Sequence, residues 1–238
     1  MQKLDTVVLL DVLTRLENWQ ENLHLLLVWK KIVFEKSIIF ATREMKRNKI
    51  NSRMGVEDNI LSLIGDTPLI RLKKVVKGFD GNFFTKFEAL NPGHSNKDRI
   101  ALHIIKEAEN KGILKPGDTI IETTSGNTGF SLAMVSLIKG YECILAVSSK
   151  SSKDKINMLN AMGAKVYVCP ANVSAEDSRS YYQVAKNLHS EIKGSVYINQ
   201  YFNELNIEAH YKTTGPEIWD QTNGKITHLV ACSGTGGT

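Results

Sequence analysis

The sequence has few cysteines and no cysteine pattern. Its 238 residues include three, Cys143, Cys169 and Cys232, which lie far apart and show no CxxC spacing. Closely spaced pairs hold most structural zinc ions, and regularly spaced even sets are typical of small disulfide-rich secreted domains. We therefore expect no metal site and no disulfide framework. Reduced thiols in a cytoplasmic protein are the default expectation.

Long apolar runs are also missing. Near the N-terminus the run "TVVLLDVL" is interrupted by Asp11, and no small-residue cleavage site follows it. A membrane-spanning helix requires about 18 or more consecutive apolar residues. We expect no membrane partner and a cytoplasmic localisation.

The positive charge is small and local. Residues 1–53 carry 10 Lys and Arg against 6 Asp and Glu, whereas residues 54–238 carry 20 against 19. The excess lies in "REMKRNKINSR", residues 43–53. A nucleic-acid-binding domain usually has a basic face, which this distribution does not supply. We expect no nucleic-acid partner and interpret residues 43–53 as a solvated linker.

Two regions with different patterns follow each other along the chain. Apolar residues in 7–29 recur with helical spacing, which predicts an amphipathic helix that packs on a core or on a second copy of the chain. From Asn59 onward, strand-like and helix-like segments alternate, with turns marked by Gly, Pro, Asn and Ser. This alternation predicts an α/β fold with parallel sheets flanked by helices. One predicted helix begins at Lys97, and others cover residues 129–140, 152–163 and 175–191; residues 215–224 precede the last predicted strand and carry no helix or strand prediction.

One lysine and two loops carry the chemical signal. Lys97 follows the turn residues of "NPGHSN" and begins an amphipathic helix, a position where a lysine is usually just a solvated charge. The loop "TTSGNTG", residues 123–129, lies between a predicted strand and helix; its hydroxyls and amides suit a carboxylate, although an N-capped helix explains it as well.

The second loop is "SGTGGT", residues 233–238, directly after the predicted strand "THLVAC". Such a glycine-rich turn forms a nest of amides that suits a phosphate, although a plain turn is equally compatible with it. It lacks both the GK[ST] of a P-loop and the full GxGxxG spacing. Taken together, a lysine, a carboxylate-suited loop and a phosphate-suited loop describe a site for a phosphorylated aldehyde and an amino acid. A lysine can hold such an aldehyde as a Schiff base.

These motifs carry a family resemblance. "NPGHSNKDR", "TSGNTG", "QYFN", "AHYKTTGPEIW" and "GTGGT" occur in the order seen in the pyridoxal-phosphate-dependent β-family of fold type II. From Asn59 to Thr238 the chain resembles cystathionine β-synthases and cysteine synthases. "CPANVSAEDSRSYYQVAKNL" with "AHYKTT" looks closer to the former, while "TTGPEIW" is shared with the latter. The resemblance implies a tryptophan synthase β-subunit-like fold and pyridoxal 5′-phosphate as cofactor.

The resemblance also implies roles for individual residues. Lys97 would be the Schiff-base lysine and the proton shuttle at Cα, and Asn127 would hydrogen-bond the ring hydroxyl of the cofactor. The substrate carboxylate would be held by Thr124, Ser125, Thr128 and Gln200. The cofactor phosphate would be bound by Gly234, Thr235, Gly236, Gly237 and Thr238. His94 and His210 would line the site or support it structurally.

The implied reaction is β-replacement on serine or O-acetylserine by a thiol, homocysteine or sulfide, which gives cystathionine or cysteine. A cystathionine β-synthase-like activity is preferred over a cysteine synthase. An alternative of another class is a truncated, non-catalytic protein that binds or oligomerises through residues 7–29. A nucleotide- or phosphate-binding domain would explain the glycine loop but leave Lys97 without a role.

Two departures from the family pattern add expectations. Members of the family continue past the phosphate loop, so the resemblance implies an incomplete large domain here, with an unfinished sheet edge and exposed apolar surface. A homodimer is implied if the chain is complete. Residues 1–53 have no recognised counterpart, and "MGVEDNILSLIGDTPLIRL" resembles a family N-terminus. We hypothesise that translation begins at Met54, which makes 1–53 an extension and 54–238 the catalytic region.

Overall fold

The computed structural model describes the strand Asp5–Val8 and residues 56–124 and 126–238. That strand and the residues from Asn59 onward belong to one compact unit. The predicted linker at residues 43–53, the boundary after residue 53 and the hypothesised start at Met54 lie outside the described residues. Nothing in the described part tests them.

Strands and helices alternate as the sequence predicts. The described strands are β1 Asp5–Val8, β2 Leu69–Arg71, β3 Asn82–Lys86, β4 Thr119–Glu122, β5 Glu142–Ser148, β6 Lys165–Cys169, β7 Ser195–Tyr197 and β8 Ile226–Val230. The described α-helices are α1 Lys97–Asn110, α2 Asn127–Lys139, α3 Lys153–Ala161, α4 Tyr181–Glu191, α5 Glu204–Lys212 and α6 Thr214–Gln221. Short 3₁₀ helices cover Ile60–Leu63 and Glu88–Leu90.

The strands form two four-stranded sheets. One has the order β6-β5-β4-β7 and is parallel throughout. The other has the order β2-β3-β1-β8; its β1 pairs in parallel with β3 and β8, whereas β2 is antiparallel to β3. The predicted α/β architecture with parallel sheets flanked by helices is confirmed, with one antiparallel edge strand that the alternation did not indicate.

The all-parallel sheet forms the centre of the main core. Every residue of β4 is buried, and five consecutive residues of β5 are buried as well, as expected of strands covered by helices on both faces. The helices α1 and α2 supply most of the remaining core side chains; these include Ile100, Ile104, Ile105, Leu132, Ala133 and Val135. The site described below lies where these elements end.

The predicted helices need correction at three places. Val7 and Val8 lie in β1, so the helix expected over 7–29 does not begin at residue 7, and the rest of that range lies outside the described residues. The helix expected over 175–191 begins only at Tyr181, because the Ser180 side chain accepts a hydrogen bond from the Gln183 amide and caps it. Residues 215–224, for which no helix was predicted, contain most of α6.

Two further features complete the fold. The helix α5 was not predicted, although its N-cap Asn203 accepts a hydrogen bond from the Leu205 amide. The strand β8 is at the edge of its sheet, with Leu229 and Val230 exposed. Across the described residues, no helix has both the length and the apolar character needed to cross a membrane.

Candidate active site

Lys97 is the first residue of α1, as the sequence predicts. Its half-buried side chain donates a hydrogen bond from Nζ to Asn96 Oδ1 over 2.8 Å. The Lys97 backbone amide donates to Ser95 Oγ over 3.2 Å, which satisfies one of the free amides of the first turn. The preceding turn brings His94 into the left-handed region, with φ 58°. The amine is therefore held at a helix start that is preceded by a tight turn.

The glycine-rich loop lies next to this lysine turn. Asn96, which accepts the bond from Lys97, approaches Thr238 Oγ1 with its Nδ2 at 3.4 Å. Gly236 has φ 78°, a conformation that favours glycine, and open space surrounds both Gly234 and Gly236. The predicted amine and the predicted phosphate loop are thus brought together through one asparagine.

The second predicted loop follows β4 and leads into α2. Gly126 precedes the helix, and its amide donates to Thr124 Oγ1 over 3.1 Å. Gly129 packs so closely on this loop that a Cβ at its position would lie 2.7 Å from the backbone oxygen of Thr124. Asn127 is exposed at the first position of α2, and Ser125 lies outside the described residues. The helix start supplies free amides, as an anion site requires.

Gln200 joins this loop from another part of the chain. Its Oε1 accepts a hydrogen bond from Thr128 Oγ1 over 2.7 Å, and both residues are buried. Its backbone amide donates to Glu122 Oε2 over 3.0 Å at the end of β4. Burial raises the pKa of Glu122, while its hydrogen bonds from Thr123 and Gln200 act in the opposite direction. Two of the predicted carboxylate-binding residues are thereby fixed to each other and to the sheet.

Asp98 connects the lysine helix to α2. The Ser131 hydroxyl lies within hydrogen-bond distance of a carboxylate oxygen of this fully buried residue and, at 2.9 Å, of the backbone oxygen of Asn127, and it donates its single proton to one of the two at a time. The other carboxylate oxygen of Asp98 accepts from the Gly93 amide. Burial raises the pKa of Asp98, against the hydrogen bonds from Ser131 and Gly93. The starts of α1 and α2, which carry Lys97 and Asn127, are therefore held in one network.

Sequence reasoning missed a buried ion-pair network beside the site. Arg99 pairs with Glu217 over 2.6 Å and with Glu88 over 2.7 Å. Lys86 pairs with the same Glu217 over 2.7 Å, and its Nζ also donates to Gln221 Oε1 over 2.9 Å. Burial tends to raise the pKa of Glu217, but Arg99 and then Lys86 outweigh it and lower the pKa to about 2. The "KDR" and "GPEIW" motifs contain Arg99 and Glu217, but sequence alone does not show that these two side chains meet.

His210 approaches the glycine loop from α5. Its Nδ1 is 2.9 Å from Thr214 Oγ1, and its Nε2 is 3.4 Å from Thr238 Oγ1. Burial lowers its pKa to about 4, and the positive charges of Lys97 and Arg99 add to the effect. The imidazole is therefore neutral at pH 7. It approaches the loop at Thr238; the site-lining or structural role that the resemblance implied stays a prediction.

The residues present fit a phosphorylated aldehyde cofactor. A Cβ at Gly234 or Gly236 would meet no atom within 4 Å, so the loop has room for a bound group, and Lys97 supplies an amine bonded to Asn96, the neighbour of Thr238. A cavity of about 120 Å³ adjoins the loop at Thr235. In the described parts of the chain, no group of three or more His, Cys, Asp or Glu side chains is placed to hold a metal ion.

Comparison with known proteins agrees with this geometry. Residues 60–238 match the family described as "Pyridoxal-phosphate dependent enzyme". The chain belongs to this family. The predicted resemblance and the expected pyridoxal-phosphate dependence are thereby confirmed at the level of the family.

Curated relatives within the family are named after sulfur amino-acid enzymes. The chain is 47% identical over 194 residues to a cystathionine β-synthase of Apis mellifera, a match that covers 81% of this chain and 38% of the relative. It is 42% identical over 190 residues to cysteine synthase 1 of Emericella nidulans, covering 80% of this chain and 51% of the relative. The chain thus spans about half or less of the length of these relatives.

Solved structures of the family share the fold. A hydrogen sulfide-producing enzyme from Fusobacterium nucleatum superposes with a TM-score of 0.71 at 34% identity, covering 77% of this chain and 59% of that chain. An O-ureido-L-serine synthase gives a TM-score of 0.66 at 35% identity, covering 71% of this chain and 52% of that chain. Both likenesses agree with the predicted fold type II architecture.

Proposed function

We propose that the protein acts in pyridoxal-phosphate-dependent β-replacement on serine or O-acetylserine, in the biosynthesis of sulfur amino acids. The observation that carries the proposal is the amine of Lys97, held by Asn96 next to Thr238 of the glycine-rich loop. The names of the relatives, cystathionine β-synthase and cysteine synthase, support this reaction class. The predicted cytoplasmic localisation and homodimer belong to the same proposal.

The predicted site residues would bind three groups: the cofactor phosphate, the cofactor ring and the substrate carboxylate. The backbone of Gly234, Gly236 and Gly237, with the hydroxyls of Thr235 and Thr238, would hold the cofactor phosphate, and Asn127 would orient the ring. Thr124, Ser125, Thr128 and Gln200 would hold the substrate carboxylate at the start of α2. The hydrogen bond between Thr128 and Gln200 would hold one side of this carboxylate site in place before substrate arrives.

The chemistry of the reaction would centre on Lys97. Its amine accepts the proton from Cα of the substrate while hydroxide or acetate leaves Cβ. The thiol would lose its proton to the departing hydroxide or acetate, its sulfur would bond to Cβ, and Lys97 would return the proton to Cα. The cofactor, when bound, supplies the electron sink that stabilises negative charge at Cα. Neutral His210 avoids a third positive charge beside Lys97 and Arg99.

The preferred substrates are serine and homocysteine, with O-acetylserine and sulfide as the second candidate. Serine and homocysteine are preferred because of the 47% identity to a cystathionine β-synthase. O-acetylserine and sulfide are the second candidate because of the 42% identity to a cysteine synthase. Assaying each donor with each acceptor separates the two. Cystathionine formed from serine and homocysteine supports the first, and cysteine formed only from O-acetylserine and sulfide supports the second.

Attachment of the cofactor tests the function directly. We expect purified protein mixed with pyridoxal 5′-phosphate to gain visible absorbance, and borohydride reduction followed by peptide mass spectrometry to place the label on Lys97. Lys97→Ala should lose both signals. Lys106→Ala, an exposed lysine on the same helix, is the control and should keep them. A folded protein that gains no label, or a label on another lysine, contradicts the proposal and favours a non-catalytic role.

A further inference from the structure

Asn206 connects the two anion loops, although no motif singled it out. It lies in the first turns of α5 and is buried, with 2% of its surface exposed. Its backbone amide donates to the Asn203 backbone oxygen over 2.9 Å, which fixes it to the helix start. Its side chain is therefore presented from a rigid element toward the site.

The amide nitrogen of Asn206 bonds to both functional segments. Nδ2 donates to the backbone oxygen of Gln200 over 3.0 Å and to Thr235 Oγ1 over 2.9 Å. Gln200 belongs to the proposed carboxylate site, and Thr235 belongs to the proposed phosphate loop. One side-chain amide thus bonds to two binding segments, one of which it reaches across 29 residues of sequence, from Asn206 to Thr235.

The side-chain oxygen of Asn206 lies close to the backbone of the glycine loop. Asn206 Oδ1 is buried and has no hydrogen-bond partner within the described part of the chain. A Cβ built on Gly237 would lie 2.1 Å from this oxygen, so the loop backbone approaches it as closely as only glycine allows. A buried carbonyl without a partner costs stability. The two bonds of the amide nitrogen to Gln200 and Thr235, together with this close approach to the loop, point to a positioning role.

The connection continues from Asn206 into the core. Gln200, whose backbone oxygen accepts from Asn206, donates its own amide to the fully buried Glu122 at the end of β4. Gln200 also accepts from Thr128 in α2. The glycine loop is thereby linked through one side chain to the sheet and to the carboxylate-binding helix.

We propose that Asn206 is a positioning residue that holds the Gly234–Thr238 loop in its phosphate-binding conformation and sets its distance from the carboxylate site. The inference rests on the proposed function, because it takes this loop as the phosphate site. Asn206 itself need not touch the cofactor. Its contribution concerns the phosphate group and not the aldehyde or the ring.

The test compares pyridoxal 5′-phosphate with pyridoxal, which lacks the phosphate. We expect Asn206→Ala to raise the Kd for pyridoxal 5′-phosphate by about tenfold or more, because two hydrogen bonds that order the loop are lost. The Kd for pyridoxal should change by less than about threefold. Asn206→Asp keeps the shape but replaces the donor by a buried negative charge, so its loss should be larger, about hundredfold.

Asn203→Ala is the matched control. Asn203 caps the same helix through the Leu205 amide and donates to the backbone oxygen of Ile198, but its recorded bonds do not reach the glycine loop. We expect it to lower the stability of α5 and to affect both ligands equally. Equal weakening of both ligands by Asn206→Ala, or normal phosphate preference in Asn206→Asp, overturns the inference.

Hydrogen exchange of the cofactor-free protein tests the role of Asn206 independently of the proposed function. Asn206→Ala should speed amide exchange in residues 234–238, and Asn203→Ala should not. Unchanged loop exchange in Asn206→Ala overturns the inference whatever the protein binds. If the wild-type protein shows no preference for pyridoxal 5′-phosphate over pyridoxal, the proposed function fails, and loop exchange still decides whether Asn206 orders the loop.

Discussion

Arg99, two residues after the proposed catalytic Lys97, forms a bidentate ion pair with Glu217. Nη1 of Arg99 lies 2.6 Å from Oε1 of Glu217, and Nη2 lies 2.7 Å from Oε2. Both side chains are buried, with 1% and 9% of their surfaces exposed. Because Glu217 also pairs with Lys86, a single carboxylate compensates two buried cations on its side of the network.

Removing this carboxylate should strongly destabilise the protein. In Glu217→Gln, Glu88 is the one acidic neighbour left to Lys86 and Arg99 among the residues that the structure describes, so positive charge is buried without full compensation. Breaking a buried pair from one side typically costs about 3 to 5 kcal/mol. We expect a loss of that size in the free energy of unfolding, measured by urea denaturation at pH 7.

Glu109→Gln is the control for this measurement. Glu109 pairs with Lys139 over 2.8 Å, but their side chains are 26% and 23% exposed. Partly exposed pairs contribute up to about 1 kcal/mol, so this variant should lose no more than that. Equal losses in the two variants would show that burial of the Arg99 network does not increase its contribution to the free energy of unfolding.

His210 should make stability depend on pH between about 6.5 and 4. Its folded pKa of about 4 lies below the ordinary value of 6.5, so the unfolded chain binds more protons in this window. The stability from neutral His210 is fully present above pH 6.5 and is lost as the pH falls through about 4. A shift from 6.5 to about 4 corresponds to at most about 3 kcal/mol.

Comparison with a variant isolates this contribution from other titrating groups. His210→Asn removes the titrating ring, so its urea midpoint should fall less steeply between pH 6.5 and 4 than that of the wild-type protein. His228→Gln, which changes an exposed histidine on β8, should keep the wild-type slope. Identical slopes for wild type and His210→Asn would contradict the low pKa of His210.

The sequence predicts where the loops lie along the chain better than it predicts which distant residues contact them. Turn residues before Lys97 and glycines after the strand ending at Glu122 mark where a helix must begin, because helix starts and tight turns have local preferences. The parallel sheet follows from strand and helix alternation. Both features depend on neighbours in the chain, and the structure agrees with them.

Long-range partners are not contained in such local patterns. Arg99 and Glu217 are 118 residues apart, and Lys86 and Gln221 are 135 apart. A charged residue in a motif looks the same whether it is solvated or buried against a distant partner. For the same reason the antiparallel pairing of β2 and the bond from Asn206 to Thr235 appear only in the folded chain.

Gly129 gives a final test of the carboxylate site. A Cβ at this position would meet the Thr124 backbone oxygen at 2.7 Å, and backbone cannot move aside as a flexible side chain can. Gly129→Ala should therefore displace the loop that carries Thr124. Overpacking of this kind costs about 1 to 3 kcal/mol. We expect weaker binding of serine or O-acetylserine by about five- to a hundredfold, read from the spectral change on adding the amino acid.

Gly126→Ala is the matched control in the same loop. At Gly126 the nearest atom to a built Cβ is Thr124 Oγ1 at 3.7 Å, an ordinary contact, and its φ of −90° suits any residue. Its amino-acid affinity should stay within about threefold of wild type, which is less than 1 kcal/mol. Binding of the cofactor phosphate should change less than binding of the amino acid in both variants, because a Cβ at Gly126 or Gly129 meets no atom of the glycine-rich loop at residues 234–238. If Gly129→Ala binds the amino acid as well as Gly126→Ala does, the carboxylate does not bind at the loop between β4 and α2.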